Sequence, residues 1–125
     1  MTEKIYFVPD TGSSGIVPFS KSGSGWYKNE KTHTWGTGTK TKYYAQGYFT
    51  WGNGKASVKN ASGGVSNTPN KLTISNRKTT TSTGQYAWIF NNYAQVNFSF
   101  TTTNQLGVKD DFSVTIRVSE SGNTI

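Results

Sequence analysis

The sequence predicts an all-β domain, with an antiparallel β-sandwich as its architecture or a small β-barrel as the alternative. The 125 residues include only two leucines and one methionine, whereas eighteen are Phe, Tyr or Trp. Good helix formers are therefore scarce, while side chains that suit pleated strands are abundant. About eight short strands, turn signals between them and no helical period are typical of a sandwich or a barrel. The length fits one domain, residues 1–125.

The strongest local signal is a hairpin over residues 41–59. Two alternating runs flank Asn53-Gly54, a dipeptide suited to the positive φ angles of a type I′ turn. A two-residue loop there predicts that Phe49 faces Val58 across the hairpin, on the buried side. The opposite side then carries Lys42, Tyr44, Gln46, Tyr48, Thr50, Lys55, Ser57 and Lys59.

A second hairpin is predicted over residues 85–100, with its turn at Asn91-Asn92, because Asn tolerates the left-handed conformation. One of its two faces would carry four large rings, and core packing is the favoured interpretation of this ring-rich face, since four such rings in water would form a large exposed apolar patch. A ligand groove and a subunit interface are the alternatives. One face gathers Ala87, Ile89, Ala94, Val96, Phe98 and Phe100; the ring-rich face gathers Tyr86, Trp88, Phe90, Tyr93, Gln95 and Asn97.

Further strands are predicted from shorter patterns. Residues 4–8 form a first strand, and residues 20–39 are interpreted as long loops with one short strand near Trp26. Residues 77–83 are polar and predict an edge strand. Residues 112–119 alternate strictly between apolar and polar side chains, which indicates a strand with one face towards solvent.

The side chains that carry most catalysis are few, so we expect neither an enzyme nor a cofactor. There is no Cys, one His and six carboxylates. His33 is interpreted as a loop histidine, because a zinc site needs three or four ligands. Glu30 with Asp111 is a remote glycosidase alternative. The pair Asp110-Asp111 is interpreted as turn chemistry, with a bound calcium as a minor alternative.

The charge is strongly positive and unevenly distributed. The formal net charge is +7, and residues 21–78 contain ten Lys or Arg but a single acid, Glu30. Such a segment attracts anionic surfaces, although a merely solvated face is an equally good interpretation. No apolar run approaches the roughly 18 residues of a membrane-spanning helix.

Aromatic side chains next to amides and lysines suggest where a ligand would bind. Rings stack on sugars and bases, while amide and ammonium groups hold hydroxyls and anions. The alternative is that Tyr and Lys simply cover a sheet surface. The candidate ligand-binding residues are Trp26, Tyr27, Trp35, Lys42, Tyr44, Gln46, Tyr48 and Lys59. A second candidate face comprises Tyr86, Trp88, Tyr93 and Gln95.

Residues 31–59 (KTHTWGTGTKTKYYAQGYFTWGNGKASVK) resemble small exported Gram-positive all-β proteins, including lactococcin-like bacteriocins. The shared features are strands rich in Gly and aromatic residues, a lone Lys-Thr-His and the absence of disulfides. The resemblance covers less than a third of the chain, which is longer than those bacteriocins. It implies an exported all-β protein, with antimicrobial activity as an expectation.

We expect a secreted or cell-surface binding module whose ligand is a carbohydrate or an anionic cell-envelope polymer. We expect no signal peptide within this sequence, because its first residues lack the charged and then apolar pattern of such a peptide. A toxin or bacteriocin acting on membranes is one alternative, through contact of alternating strands with an anionic surface. A structural or assembly protein is another, as a homo-oligomer through Tyr86, Trp88, Phe90 and Tyr93. No nucleic-acid partner is expected, because no recognised motif is present.

Overall fold

The chain forms an antiparallel β-sandwich, seen in a computed structural model that describes residues 2–9, 22–86 and 91–125. The side chains of residues 9, 86 and 91 are outside this description. The described residues form seven strands and no helix. The strands are β1 (Thr2–Pro9), β2 (Gly23–Thr34), β3 (Lys40–Gly52), β4 (Lys55–Ser66), β5 (Thr73–Tyr86), β6 (Asn91–Thr103) and β7 (Lys109–Ser119).

The strands make two sheets that do not close into a barrel. β1 to β4 form a four-stranded sheet in sequence order, and β5 to β7 form a three-stranded sheet, also in sequence order. All neighbouring strands are antiparallel. The predicted all-β sandwich is confirmed. The strands are 8 to 14 residues long, longer than the sequence suggested.

The core lies between the two sheets and is built mainly from rings and β-branched side chains. Tyr43 packs edge-on against Phe100 at 5.2 Å between ring centroids, and Phe100 stacks on Phe112 at 5.2 Å. Two inward-facing glycines let the sheets and rings approach closely. A Cβ on Gly63 would lie 2.4 Å from the Phe98 ring, and one on Gly47 would lie 2.6 Å from a Val58 methyl.

The predicted first hairpin is confirmed in its turn and its register. Asn53 and Gly54 have φ angles of 53° and 72°, and Phe49 pairs with Val58 as expected. β4 continues beyond the predicted end to Ser66, past a bulge where Asn60 has a φ of 52°. Phe49 is fully buried, so the periodicity assigned the two faces correctly.

The second hairpin was predicted with the wrong turn. Asn91 and Asn92 lie within β6 and pair with Tyr86 and Gln85 of β5, so the chain does not reverse at this dipeptide. The alternation further along β6 is confirmed, since Ala94, Val96, Phe98 and Phe100 are buried. The predicted positions of Ala87, Trp88, Ile89 and Phe90 fall outside the described residues.

Three local predictions are also corrected. The supposed long loops of residues 20–39 contain the twelve-residue strand β2, and His33 lies in that strand. Its inward positions include Gly25, where the Phe7 ring occupies the space a Cβ would need, 2.6 Å away. Asp110 and Asp111 lie in β7, where they pair with Thr102 and Thr101, instead of in a turn. The polar strand predicted over 77–83 is confirmed as part of the edge strand β5.

Candidate functional site

The side of the four-stranded sheet that faces away from the core is called the outer face here. Side chains from four strands meet on it in rows that the strand register fixes. One row runs from Val8 through Trp26 and Tyr48 to Lys59. Two further rows place Tyr6 beside Lys28 and Gln46, and Lys4 beside Glu30 and Tyr44.

Six of the eight predicted ligand-binding residues share this face. Lys42, Tyr44, Gln46 and Tyr48 alternate with the buried positions of β3, and Lys59 pairs with Tyr48 from β4. The prediction that these residues lie on one side is therefore confirmed, while ligand binding by them stays a prediction. Trp26 joins them because β2 pairs with β3, and its ring meets that of Tyr48 edge-on at 5.6 Å.

The rings of two predicted residues pack away from the outer face. Tyr27 is only 3 % exposed, and its ring packs between Phe7 and Phe49 in the core, so it cannot present its ring to a ligand on the outer face. Trp35 follows β2 and packs with His33 and Phe112 on the inward side. Its Nε1 donates to Thr41 Oγ1 at 2.8 Å. Trp35 therefore closes one end of the sandwich and is separate from the outer face.

A depression of about 410 Å³ lies on the outer face between β1, β2 and β3. Its size falls within the roughly 300–1,000 Å³ of small-molecule sites. Its walls are ring and aliphatic surface, with one ammonium group and one amide. Tyr6 and Trp26 are 37 % and 38 % exposed, so both rings are accessible to a ligand. The depression is lined by Tyr6, Val8, Trp26, Tyr27, Lys28 and Gln46.

Lys28 organises the charges around the depression. Its Nζ lies 4.6 Å from the Tyr44 ring centroid and 5.6 Å from that of Tyr6, both within cation–π range. Glu30 Oε2 lies 3.7 Å from the same Nζ and offsets part of its charge. Lys4 Nζ also lies within this range, 5.0 Å from the Tyr6 ring centroid. The rings are thus interleaved with cations.

The remaining polar groups of the outer face are held by neighbours on the sheet. Gln46 Nε2 donates to Ser62 Oγ at 3.0 Å, which positions the amide beside the depression. Lys59 Nζ lies 5.3 Å from the Tyr48 ring centroid. The Tyr44 ring lies against Gly64, where a Cβ would approach it to 2.9 Å. These contacts fix the rings before any ligand arrives.

Comparisons of the chain with protein-family models, with curated proteins and with solved structures find no match. The site is therefore interpreted from its own geometry. The resemblance of residues 31–59 to exported Gram-positive proteins stays a prediction.

The second candidate face is described only in part. Tyr93 and Gln95 lie on the solvent side of the three-stranded sheet, so the core interpretation is wrong for these two residues. The Arg117 guanidinium lies 4.2 Å from the Tyr93 ring centroid, and its Nε and Nη2 donate to Gln95 Oε1 at 2.9 and 2.7 Å. Trp88, Phe90 and the Tyr86 side chain lie outside the described residues.

The acidic residues do not converge. Glu30 lies on the outer face of the four-stranded sheet, whereas Asp111 accepts a hydrogen bond from Thr101 Oγ1 on the solvent side of the other sheet. The two carboxylates considered as a glycosidase pair are thus on opposite sides of the sandwich. Among the described residues, no three His, Asp or Glu form a group that could hold a metal ion. The described residues contain no helix that could cross a membrane.

Sequence reasoning missed Tyr6, Val8 and Lys28, which form much of the depression. They come from β1 and β2, whose pairing joins residues about twenty positions apart. Because Tyr6 stands between the apolar residues Ile5 and Phe7, the alternation of side chains along a strand could have placed Tyr6 on the face opposite to theirs. No signal gave the register that sets Tyr6 beside Lys28.

Proposed function

We propose that the chain is a non-enzymatic binding module of a secreted or cell-surface protein, and that its outer face binds a carbohydrate or an anionic cell-envelope polymer. The observation that carries this proposal is the depression whose walls include the Tyr6 and Trp26 rings, with Lys28 and Gln46 beside them. Accessible rings next to a few convergent polar groups are typical of sites for ring-shaped polar ligands.

The chemistry of these side chains suits a sugar unit. The apolar face of a sugar ring packs on Trp26 or Tyr6, while its hydroxyls exchange hydrogen bonds with the Gln46 amide and the Lys28 ammonium group. Because Trp26 is braced by Tyr48 and Gln46 is held by Ser62, little side-chain freedom is lost on binding.

The charge of the surrounding surface favours an acidic ligand. Lys4, Lys28, Lys42 and Lys59 lie on the outer face with Glu30 as the one acid among the described residues there. These cations attract uronic acids or phosphate groups along a polymer, and the attraction weakens as salt screens it.

Glycan-array binding and sedimentation with purified cell walls, both at low salt, test the proposal. Trp26→Ala and Tyr6→Ala each remove one ring from the depression and are expected to weaken binding about fivefold, since a ring contact contributes about 1 kcal/mol. Tyr93→Ala is the matched control, because it removes a ring with a neighbouring cation from the other sheet. The absence of binding in both assays, or equal losses in all three variants, would rule the proposal out.

A further inference from the structure

Most sheet edges of this sandwich carry features that discourage pairing with another chain. The edge of β7 is covered where the C-terminal residues lie along it: Ser119 N donates to the Asn123 oxygen at 2.8 Å, and Ile125 N donates to the Arg117 oxygen at 3.1 Å. At its other end, β7 begins with the charged residues Lys109, Asp110 and Asp111. Charges and covering segments are known protections of edge strands.

The two edges of the four-stranded sheet are protected in other ways. β4 carries Lys55 and Lys59, has a bulge at Asn60, and is only partly exposed over the uncharged residues 61–65 that follow the bulge. β1 carries Glu3 and Lys4 and ends at Pro9. A bulge twists an edge away from a flat partner, and a lysine makes pairing with a second strand costly.

β5 differs from these edges over residues 79–85. The bulge between Ser75 and Lys78 and the cations Arg77 and Lys78 lie before this segment. Residues 79–85 (TTTSTGQ) contain no charge and no proline, and they pair with β6 without a break. Every side chain from Thr79 to Thr83 is exposed on both sides of the strand. At 3.4 Å per residue the segment offers roughly 24 Å of straight edge.

We propose that residues 79–85 of β5 pair with the same residues of a second copy of this chain. The pairing is antiparallel about a two-fold axis near Ser82, and it joins the two three-stranded sheets into one six-stranded sheet. Each copy donates and accepts the same backbone hydrogen bonds, as in strand addition to an exposed edge. At the centre of this pairing Thr81 lies opposite Thr83 and the two Ser82 residues face each other, a favourable cross-strand arrangement.

The charge distribution favours a second copy as the occupant. Each chain carries a net charge of +7, so two copies repel wherever their lysines meet. Residues 79–85 form an edge along which two copies meet without placing like charges opposite each other. An acidic foreign strand would instead be attracted to the lysine-bearing edges of β1 and β4. A single strand pair buries little area, so the dimer is expected to dissociate on dilution.

Charge exchange at Ser82 tests the pairing. The unmodified chain is expected to rise from its monomer mass of 13.7 kDa towards twice that value with concentration, in sedimentation equilibrium or light scattering. Ser82→Lys and Ser82→Glu each place like charges at the two-fold axis, so each variant alone is expected to stay monomeric. An equal mixture of the two is expected to recover the dimer. Ser57→Lys and Ser57→Glu, on the exposed edge of β4, are the matched controls and are expected to dimerise like the unmodified chain.

Amide hydrogen exchange gives a second measurement on the folded protein. Protection of residues 79–85 is expected to increase with protein concentration in the unmodified chain and to stay constant in Ser82→Lys. A strict monomer at the highest attainable concentration overturns the proposal. So does a dimer that survives both Ser82 substitutions, or one that forms without new protection in residues 79–85.

Discussion

The Tyr27 hydroxyl donates a hydrogen bond to the backbone oxygen of Gly122, and so ties β2 to the C-terminal segment 95 residues later in the chain. Both residues are buried, and a Cβ on Gly122 would lie 2.5 Å from the Trp51 ring. The tyrosine predicted as a ligand contact is therefore a structural residue, whose ring fills the core while its hydroxyl holds the segment that closes it.

Tyr27→Phe is expected to lower the free energy of unfolding by about 1–2 kcal/mol, because the buried Gly122 oxygen loses its donor while the ring remains. Urea unfolding followed by fluorescence measures the change. Tyr44→Phe, on the outer face, is the control and is expected to change stability by less than about 0.5 kcal/mol. Equal losses in the two variants would show that the hydrogen bond from Tyr27 to Gly122 makes no specific contribution to the free energy of unfolding.

Stability is expected to fall at alkaline pH. Burial raises the pKa of Tyr27 to about 12, so the folded state retains a proton that the unfolded state begins to lose near pH 10. The contribution of Tyr27 to the free energy of unfolding is fully present below pH 10. It falls by about 2–3 kcal/mol as the pH rises towards 12. Burial and then the negative charge of Glu3 raise the pKa of Tyr43, which acts in the same direction.

Unfolding of the unmodified chain and of Tyr27→Phe at a series of pH values separates the Tyr27 contribution from that of the lysines. The stability advantage of the unmodified chain over Tyr27→Phe is expected to shrink as the pH rises above about 10 and to reverse near pH 12. A difference that stays constant up to pH 12 would contradict the raised pKa.

Gly63→Ala is expected to destabilise the sandwich by about 2 kcal/mol, because its Cβ would lie 2.4 Å from the Phe98 ring and the two sheets would have to separate locally. Gly36→Ala is the matched control, since nothing lies within 4 Å of a Cβ there. Thermal unfolding of both variants gives the comparison. A Gly63→Ala protein as stable as the control would mean that the sheets pack less tightly at Phe98.

Glu30→Gln is expected to strengthen binding of an anionic polymer about threefold or more, because Lys28 loses the carboxylate 3.7 Å away and its full charge becomes available to the ligand. The dependence of binding on salt should become steeper. Asp111→Asn removes one negative charge from the other sheet and is the control for net charge. An equal gain in both variants would assign the effect to net charge instead of to Lys28.

The sequence predicted the β3–β4 hairpin because its information is local. Asn53-Gly54 supplies the two positive φ angles, and counting outward from that turn gives the pairing of Phe49 with Val58. Successive side chains of a strand point to opposite faces of the sheet, so the residues on each face of the hairpin follow from the same count. For the same reason, the grouping of Tyr44 with Tyr48 on one side was predicted correctly.

The errors arose where the local signal is ambiguous. Asn adopts positive φ at the bulges Asn60 and Asn76, so an Asn pair such as Asn91-Asn92 does not by itself specify a turn. β2 was predicted only as a short strand near Trp26, because its inward positions include Gly25 and Asn29 instead of large apolar side chains. Asn29 is held there by Nδ2, which donates to Glu3 Oε2 and to the Thr115 oxygen, contacts that no sequence pattern reveals.

The first strand of the chain has a further consequence for how this protein could be tuned. Among the described strands, β1 is bonded to β2 alone, and Phe7 is its main anchor, packed 4.5 Å from the Tyr27 ring centroid. Yet this strand supplies Tyr6 and Val8 to the depression. Substitutions at these two positions of an edge strand can therefore reshape one wall of the depression while the core stays intact. Ligand selectivity and folding stability are thus separable properties of this protein.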